Sequence, residues 1–250
     1  MEYMKGKIAI ITGATSGIGR EVALLFASHG IKVVASGRDE KAGLSLTKEI
    51  ISKQGEAIFM KTDVTNSQSV QNLIKETKKS YGGIDYAFNN AGIEGVLGSI
   101  SDMEEEAWDN VINTNLKGLW LCLKYEFSEM ILRKGGAIVN TSTNLTKLGL
   151  PGTSAYAASK AGVEALTQVA AIEYGKHGIR VNAISPGAVD TPMLNRICNA
   201  EQKEQLKTSN PLHKIATPKE VAQTVLWLCS PMANHINGTN IFIDGGATIL

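Results

Sequence analysis

Cysteine is scarce in this sequence, and the three that occur are far apart. Cys122, Cys198 and Cys229 form no CxxC pair, and their number is odd. A disulfide framework and a zinc site both need paired or clustered cysteines, so we expect neither. Unpaired thiols are typical of proteins kept in a reducing compartment, and we therefore expect a cytoplasmic protein.

An excess of either charge is also missing. The 25 Lys and Arg residues nearly balance the 24 Asp and Glu residues, which leaves a formal net charge of +1. Because nucleic-acid-binding domains usually carry a basic excess, no nucleic-acid partner is expected. No apolar run reaches transmembrane length, and the first residues lack the apolar stretch of a signal peptide, so no membrane partner is expected.

Short β-branched runs alternate with helical patterns along the whole chain. Most runs are apolar on both faces, as a parallel strand covered by helices on each side requires. This repetition predicts an α/β fold with a doubly wound, mostly parallel seven-stranded sheet and helices on both faces. The predicted strands are residues 7–11, 32–36, 57–61, 85–89, 137–141, 180–184 and 240–244.

Helix starts and the absence of linkers complete this outline. The pairs with capping-box spacing are Thr65 with Gln68, Ser101 with Glu104, and Thr217 with Glu220. Pro218 adds a proline at the first helical position of the third. No Pro-, Gly- or Ser-rich tract interrupts the chain, so residues 1–250 are predicted to form a single domain.

The first predicted strand runs into a glycine-rich turn. Gly13, Gly17 and Gly19 have the spacing GxxxGxG, and a helical pattern follows. Gly13 can form the tight turn, Gly17 lets the backbone approach a pyrophosphate, and Gly19 lets the helix pack closely. Together with Ser16 and Ile18, they are predicted to bind a dinucleotide at the helix start. A tight turn that needs glycine for backbone reasons only is the alternative interpretation.

The end of the second strand indicates which dinucleotide is bound. An acidic residue there binds the ribose 2′-hydroxyl of NAD, whereas an arginine accommodates the 2′-phosphate of NADP. Here Arg38 follows the strand, and Asp39 comes only after it. The pattern favours NADP as the coenzyme, with NAD as the second candidate. The alternative for Arg38 itself is a solvated loop arginine with no coenzyme contact.

Polar residues also follow the third and fourth strands. Asp63, beside Val64, either accepts a hydrogen bond from the adenine amino group or forms a turn before the next helix. Asn90 lies in the segment Asn89-Asn90-Ala91-Gly92. Its amide and small neighbours suit a backbone that lies against a cofactor, so Asp63, Val64 and Asn90 are predicted cofactor contacts.

Tyr156 and Lys160 are four residues apart in a strongly helical stretch, so they share one face of a helix. Hydride transfer to a carbonyl leaves an alkoxide that needs a proton donor, and the reverse reaction needs a base. A phenol, with a pKa of about 10, is a poor base at pH 7, and a nearby ammonium favours the phenolate. Thr143, just past the fifth strand, offers a hydroxyl to the substrate oxygen and to the phenol. An exposed cation–aromatic contact is the alternative for the pair.

In this order and spacing, the motifs resemble those of the short-chain dehydrogenase/reductase family over essentially the whole chain. The shared motifs are Thr12-Gly13-(x)3-Gly17-x-Gly19, Asn89-Asn90-Ala91-Gly92, Asn115-Leu116-Lys117-Gly118, Tyr156-(x)3-Lys160 and Pro186-Gly187. The resemblance implies an NAD(P)-dependent oxidoreductase in which Tyr156 is the general acid/base. It also implies that Lys160 binds the nicotinamide ribose and lowers the pKa of the phenol. Asn115 would hold a proton-relay water, and Val189 and Thr191 would contact the nicotinamide carboxamide.

One position departs from the family pattern. The family's catalytic serine normally lies where this sequence has Thr143, and Ser142 comes just before it. Successive strand residues point to opposite faces, so only one of the two can serve without a bulge. Thr143 is favoured because its distance along the chain to Tyr156 needs no insertion.

The resemblance also implies partners and rival functions. The substrate is expected to be a small alcohol or ketone, and segment 193–212 is its candidate lid or a plain amphipathic surface helix. Asp244-Gly245-Gly246 resembles the family tail that commonly packs between subunits, which implies a homotetramer. A 3-oxoacyl-carrier-protein reductase is the closest rival. A non-catalytic sensor or scaffold is expected to have lost Tyr156 or Lys160.

Overall fold

A computed structural model describes residues 2–250, and one sheet runs through them. Its strands are β1 (Ile8–Thr12), β2 (Lys32–Gly37), β3 (Ala57–Lys61), β4 (Tyr86–Asn89), β5 (Gly136–Thr141), β6 (Ile179–Pro186) and β7 (Asn240–Ile243). All pairings are parallel, in the order β3-β2-β1-β4-β5-β6-β7. The predicted doubly wound sheet is confirmed, each strand lies within two residues of its predicted bounds, and the sheet is wholly parallel.

Ten α-helices lie in the described part of the chain, and the longer ones cover the two faces of this sheet. They are α1 (Gly17–Ser28), α2 (Glu40–Ser52), α3 (Ser67–Tyr81), α4 (Glu105–Ile112), α5 (Gly118–Leu132), α6 (Leu145–Leu148), α7 (Ser154–Tyr174), α8 (Pro192–Ile197), α9 (Ala200–Thr208) and α10 (Pro218–Cys229). Phe26 of α1 and Val225 of α10 are buried in the core on one face. Leu73, Phe127 and Val163 of α3, α5 and α7 are buried in the core on the other. Both faces of the sheet are therefore covered by helices, as the strands that are apolar on both faces predict.

Only one of the three predicted capping boxes forms. At α10 the Thr217 side chain accepts from the backbone N–H of Glu220 and Pro218 takes the first turn, as predicted. The Thr65 prediction is wrong, because Asn66 caps α3 while the Thr65 hydroxyl bonds to Asp63.

The prediction at Ser101 is also wrong. Ser101 lies in a separate 3-10 turn, Ile100–Asp102, and α4 begins only at Glu105. The Ser101 hydroxyl is within hydrogen-bond distance of the Ser99 hydroxyl and the Asp102 carboxylate, so it is used inside that turn and not at a helix start.

The strand order reverses between β1 and β4. The chain runs outward from β1 to β3, returns to β4 on the other side of β1, and continues outward to β7. In such sheets ligands bind beyond the carboxyl ends of the strands, at this switch point. The segments that follow β1, β4, β5 and β6 therefore meet at one edge. No helix of residues 2–250 is both long and apolar enough to cross a membrane.

Candidate functional site

The glycine turn after β1 is locked onto the segment after β4. Gly13 has a φ of +64°, and a Cβ there would lie 2.9 Å from the Cα of Ala91. A Cβ on Gly19 would lie 2.3 Å from the carbonyl oxygen of Gly13, so the start of α1 packs against the turn itself. The Asn90 side chain donates to that carbonyl at 3.3 Å. Neither glycine can carry a side chain without displacing backbone.

The N-terminus of α1 faces an open edge. Ser16 precedes it in extended backbone, and its side chain makes no capping hydrogen bond. The first N–H groups of a helix, here including that of Ile18, have no partner within the helix and attract anions. Gly17 has a φ of +53°, and a Cβ on it would lie 3.3 Å from Cγ2 of Thr191 after β6. The geometry fits a pyrophosphate held against bare backbone.

The end of β2 presents a cation. Arg38 is exposed and forms no ion pair with any residue between 2 and 250. The carboxylate of Asp39 accepts a hydrogen bond from the backbone N–H of Ala42 at 2.9 Å and caps α2. Asp39 therefore has a structural task, whereas the guanidinium of Arg38 faces solvent.

Asp63 after β3 takes the turn geometry that was one of its two predicted roles. Its carboxylate accepts from the N–H and the hydroxyl of Thr65 at 2.9 and 2.7 Å. The neighbouring Val64 is buried, and a Cβ on Gly118 would lie 2.8 Å from its Cγ2. Val64 thus lies in a tight contact with α5 below the switch point.

Asn115 lies in a π-helical turn, Asn113–Lys117, between α4 and α5. Such turns occur frequently at functional sites. Its side-chain oxygen accepts from the Ile93 N–H at 2.8 Å, and its nitrogen donates to the Ile93 carbonyl at 2.9 Å. Asn115, Thr12 and Lys160 line one small cavity, about the size that a single water needs. The amide is therefore fixed beside the lysine.

Lys160 is 4% exposed, and burial lowers the pKa of its ammonium to about 8. Its Nζ donates to the carbonyl oxygen of Thr141 at 2.7 Å and lies 5.8 Å from the centre of the Tyr156 ring. The predicted shared helix face is thus observed in α7.

Burial has the largest effect on the phenol of Tyr156 in the protein alone. Burial raises its pKa to about 12, a hydrogen bond with Thr143 opposes this rise, and the charge of Glu94 adds to it. The implied lowering of the phenol pKa by Lys160 stays a prediction for the enzyme with its coenzyme bound, since in the protein alone burial has the largest effect on the phenol and the ammonium bonds to a carbonyl. The phenol is therefore protonated at neutral pH.

The two hydroxyls after β5 point to opposite sides. The Thr143 hydroxyl accepts from the Leu145 N–H at 3.4 Å and lies close enough to Tyr156 to lower the pKa of the phenol. Ser142 is buried, its hydroxyl donates to Glu164 at 2.8 Å, and the Lys160 carbonyl oxygen lies 3.2 Å from the same hydroxyl. The geometry therefore places the Thr143 hydroxyl, and not that of Ser142, beside the phenol.

The segment after β6 supplies the opposite wall. Val189 is buried and forms an isolated bridge with Ala216. Thr191 caps α8 by accepting from the Leu194 N–H. Segment 193–212 folds as the rest of α8, then α9 and a loop, with Leu194 the one residue of these two helices that is buried, so the choice between a lid and a plain surface segment stays open.

Sequence reasoning missed an ion pair across the mouth of the site. Arg196 of α8 binds both carboxylate oxygens of Glu94, at 2.9 and 3.2 Å. Glu94 follows β4 and its charge reaches Tyr156. No pattern joins two residues 102 positions apart, so nothing in the sequence could have signalled this contact.

The fold and the site together define a Rossmann-like oxidoreductase. The family model described as Enoyl-(Acyl carrier protein) reductase matches residues 13–248. The chain belongs to the short-chain dehydrogenase/reductase family.

Relatives and solved structures are similar to this chain over nearly its full length. A short-chain dehydrogenase/reductase of Aspergillus oryzae is 38% identical, over 99% of this chain and 97% of its own length. A 3-oxoacyl-[acyl-carrier-protein] reductase of Thermotoga maritima is 38% identical, over 98% and 99%. The crystal structure of a levodione reductase superposes with a TM-score of 0.95 at 31% identity, covering 98% of this chain and 99% of that one.

Proposed function

We propose that this protein transfers a hydride between NADP and a small alcohol or carbonyl substrate, with Tyr156 as general acid/base. The observation that carries the proposal is the half-buried phenol, on the helix face that also presents Lys160 and close to the Thr143 hydroxyl. When bound, the nicotinamide supplies or accepts the hydride. Because the phenol pKa is raised, Tyr156 holds its proton at neutral pH, ready for the alkoxide oxygen of a reduced ketone.

The neighbouring side chains position this proton. The Thr143 hydroxyl orients the phenol and donates to the substrate oxygen as negative charge develops there. Lys160, fixed by the Thr141 carbonyl, is in place to bind the nicotinamide ribose. Asn115 borders the cavity beside it, where a water can pass protons to Lys160. Cofactor charge beside the phenol would favour the phenolate that oxidation needs.

The rest of the dinucleotide is assigned to the switch point. The residues proposed to hold it are Gly13, Ser16, Gly17, Ile18, Gly19, Arg38, Asp63, Val64, Asn90, Tyr156, Lys160, Val189 and Thr191. The bare glycine turn suits the pyrophosphate, and Val189 and Thr191 suit the carboxamide side. The free Arg38 and the engaged Asp39 favour NADP over NAD.

Two rival functions are less well supported. The relative from Thermotoga maritima favours a 3-oxoacyl-carrier-protein reductase, but an acidic carrier protein needs a basic patch at the mouth. Here the mouth holds Glu94, whose charge is already matched by Arg196. A non-catalytic sensor has no need for a phenol and a buried ammonium on one face.

We further propose one catalytic and binding domain over residues 1–250, because one sheet runs through the chain. A homotetramer in the cytoplasm is part of the same proposal. It is supported by the family to which the chain belongs and by the scarcity of cysteine.

An absorbance assay of the reduced nicotinamide tests the function directly. The protein is mixed with NADPH or NADH and a panel of ketones, sugars, steroids and acyl thioesters, and loss of reduced nicotinamide is followed. We expect carbonyl-dependent oxidation of NADPH, faster than that of NADH. No carbonyl-dependent rate with either coenzyme across the panel contradicts the proposal.

A further inference from the structure

Two loops beside Tyr156 are joined into one structure. The N–H of Gly98, after β4, donates to the carbonyl of Gly152, after β5, at 3.1 Å. Gly98 also forms a parallel bridge with Thr153, and α7 begins at the next residue. We call residues 94–98 and 148–153 the rim of the site. The rim is therefore held at the start of the helix that carries the phenol.

The rim presents apolar side chains to solvent. Val96, Leu97, Leu148 and Leu150 lie on it, and each is between 49% and 68% exposed. Grouped apolar side chains that remain exposed mark a surface that contacts another apolar body. Their position on both loops next to Tyr156 indicates the substrate as that body.

The charged groups at the mouth of the site also favour an uncharged substrate. An anionic group brought to Tyr156 meets the carboxylate of Glu94, which is close enough to act on the phenol. The guanidinium of Arg196 is already bound to both oxygens of that carboxylate, so it is engaged before an anion arrives. Lys147, just outside the rim, is an exposed cation with no ion pair within residues 2–250. It is the group that an acidic partner would use.

Resting on the proposed function, we infer that the substrate is an uncharged ketone or secondary alcohol with an apolar body. The exposed rim binds that body, and Glu94, by holding Arg196, withholds the guanidinium that an anionic substrate would need. An apolar body shields the rim from water, whereas a carboxylate or phosphate on the rim would lose hydration and find Arg196 already paired with Glu94.

A matched pair of ketones tests the substrate class. 4-Methylcyclohexanone and 4-oxocyclohexanecarboxylate have the same ring and differ at one substituent, methyl or carboxylate. With NADPH we expect kcat/KM for the methyl ketone to exceed that for the carboxylate by on the order of a hundredfold. Equal values, or a preference for the carboxylate, would overturn the inference. If only the carboxylate or an acyl thioester is reduced, the result supports the proposed oxidoreductase function and contradicts the inferred uncharged, apolar substrate. If no ketone is reduced, both fall.

Variants separate the rim from general effects on folding. Leu150→Asn is expected to raise KM for the methyl ketone on the order of tenfold, with a smaller change in kcat. Leu132→Asn is the matched control, because Leu132 is 68% exposed at the end of α5, far from the carboxyl ends of the strands. Glu94→Gln releases Arg196, so the ratio of kcat/KM for the methyl ketone to that for the carboxylate is expected to fall. Lys147→Glu should leave that preference in place. An equal effect of Leu132→Asn and Leu150→Asn, or an unchanged preference in Glu94→Gln, contradicts the assignment.

Discussion

The hydroxyl of Ser142 donates a hydrogen bond of 2.8 Å to the carboxylate of Glu164 on α7. This bond turns Ser142 away from the phenol, and the next residue along the chain, Thr143, faces it. Consecutive residues at a strand end point to opposite sides, so one side chain is structural and the other lies at the site. The departure from the family's serine therefore leaves a hydroxyl close to Tyr156, with one extra methyl group.

Substitutions at these two positions test that assignment. Thr143→Val keeps the branched shape and removes the donor, so kcat/KM is expected to fall on the order of a hundredfold, for a contact worth about 3 kcal/mol. Thr143→Ser is expected to retain or improve activity. Ser142→Ala removes a bond to Glu164 and is expected to lower stability by about 1 kcal/mol with little change in rate. The reverse pattern, with Ser142→Ala nearly inactive and Thr143→Val mild, would show that Ser142 serves instead.

Arg38→Ala tests the choice of coenzyme. A guanidinium that binds the 2′-phosphate contributes about 2 kcal/mol, so the Kd for NADPH is expected to rise roughly thirtyfold. The Kd for NADH, which lacks that phosphate, serves as the internal control and is expected to change little. Fluorescence titration of both coenzymes measures this. Equal losses for both, or none, contradict the NADP assignment.

Glu126 predicts how stability depends on pH. It is 1% exposed on α5, where Asn89 donates to one carboxylate oxygen at 2.9 Å and the other has no partner among the described residues. Burial raises its pKa to about 7, against the Asn89 bond that lowers it. The folded state therefore binds more protons than the unfolded state between the ordinary carboxyl pKa and 7. Its contribution is present below that window and is lost as pH rises through it.

Glu126→Gln keeps the size and the acceptor but cannot ionise. The variant is expected to unfold at a higher temperature than the parent at pH 8, with a gain of at most about 3 kcal/mol, and to lose most of that advantage at pH 5. Thermal unfolding at the two pH values measures the gap. Glu173→Gln, at an exposed position on α7, is the control. A gap of the same size at both pH values would show that Glu126 is ionised throughout.

The fold could be predicted because its signal is local. Each strand is a short apolar run, and each glycine turn stands directly after its strand, so order and spacing suffice. Helix starts were less predictable. Thr65 has capping-box spacing, but the turn made by Asp63 uses its hydroxyl and leaves Asn66 to cap α3. Several polar residues compete for one helix end, and the spacing alone does not decide among them.

The electrostatics of the site depend on distant contacts and on burial. Glu94 and Arg196, or Asn89 and Glu126, are brought together only by the completed sheet. The spacing of Tyr156 and Lys160 placed them on one face correctly. It could not reveal that burial would raise the phenol pKa in the protein alone, because burial depends on every element that covers the site.

The most direct test of the account is the turnover of Tyr156→Phe with NADPH and a ketone that the parent reduces. The variant lacks only the hydroxyl that is proposed to give the substrate its proton. We expect the Kd for NADPH, measured by fluorescence titration, to stay near that of the parent while kcat falls by at least about a hundredfold. A variant that binds NADPH normally and turns over at near the parent rate would exclude Tyr156 as the general acid/base and contradict the proposed mechanism.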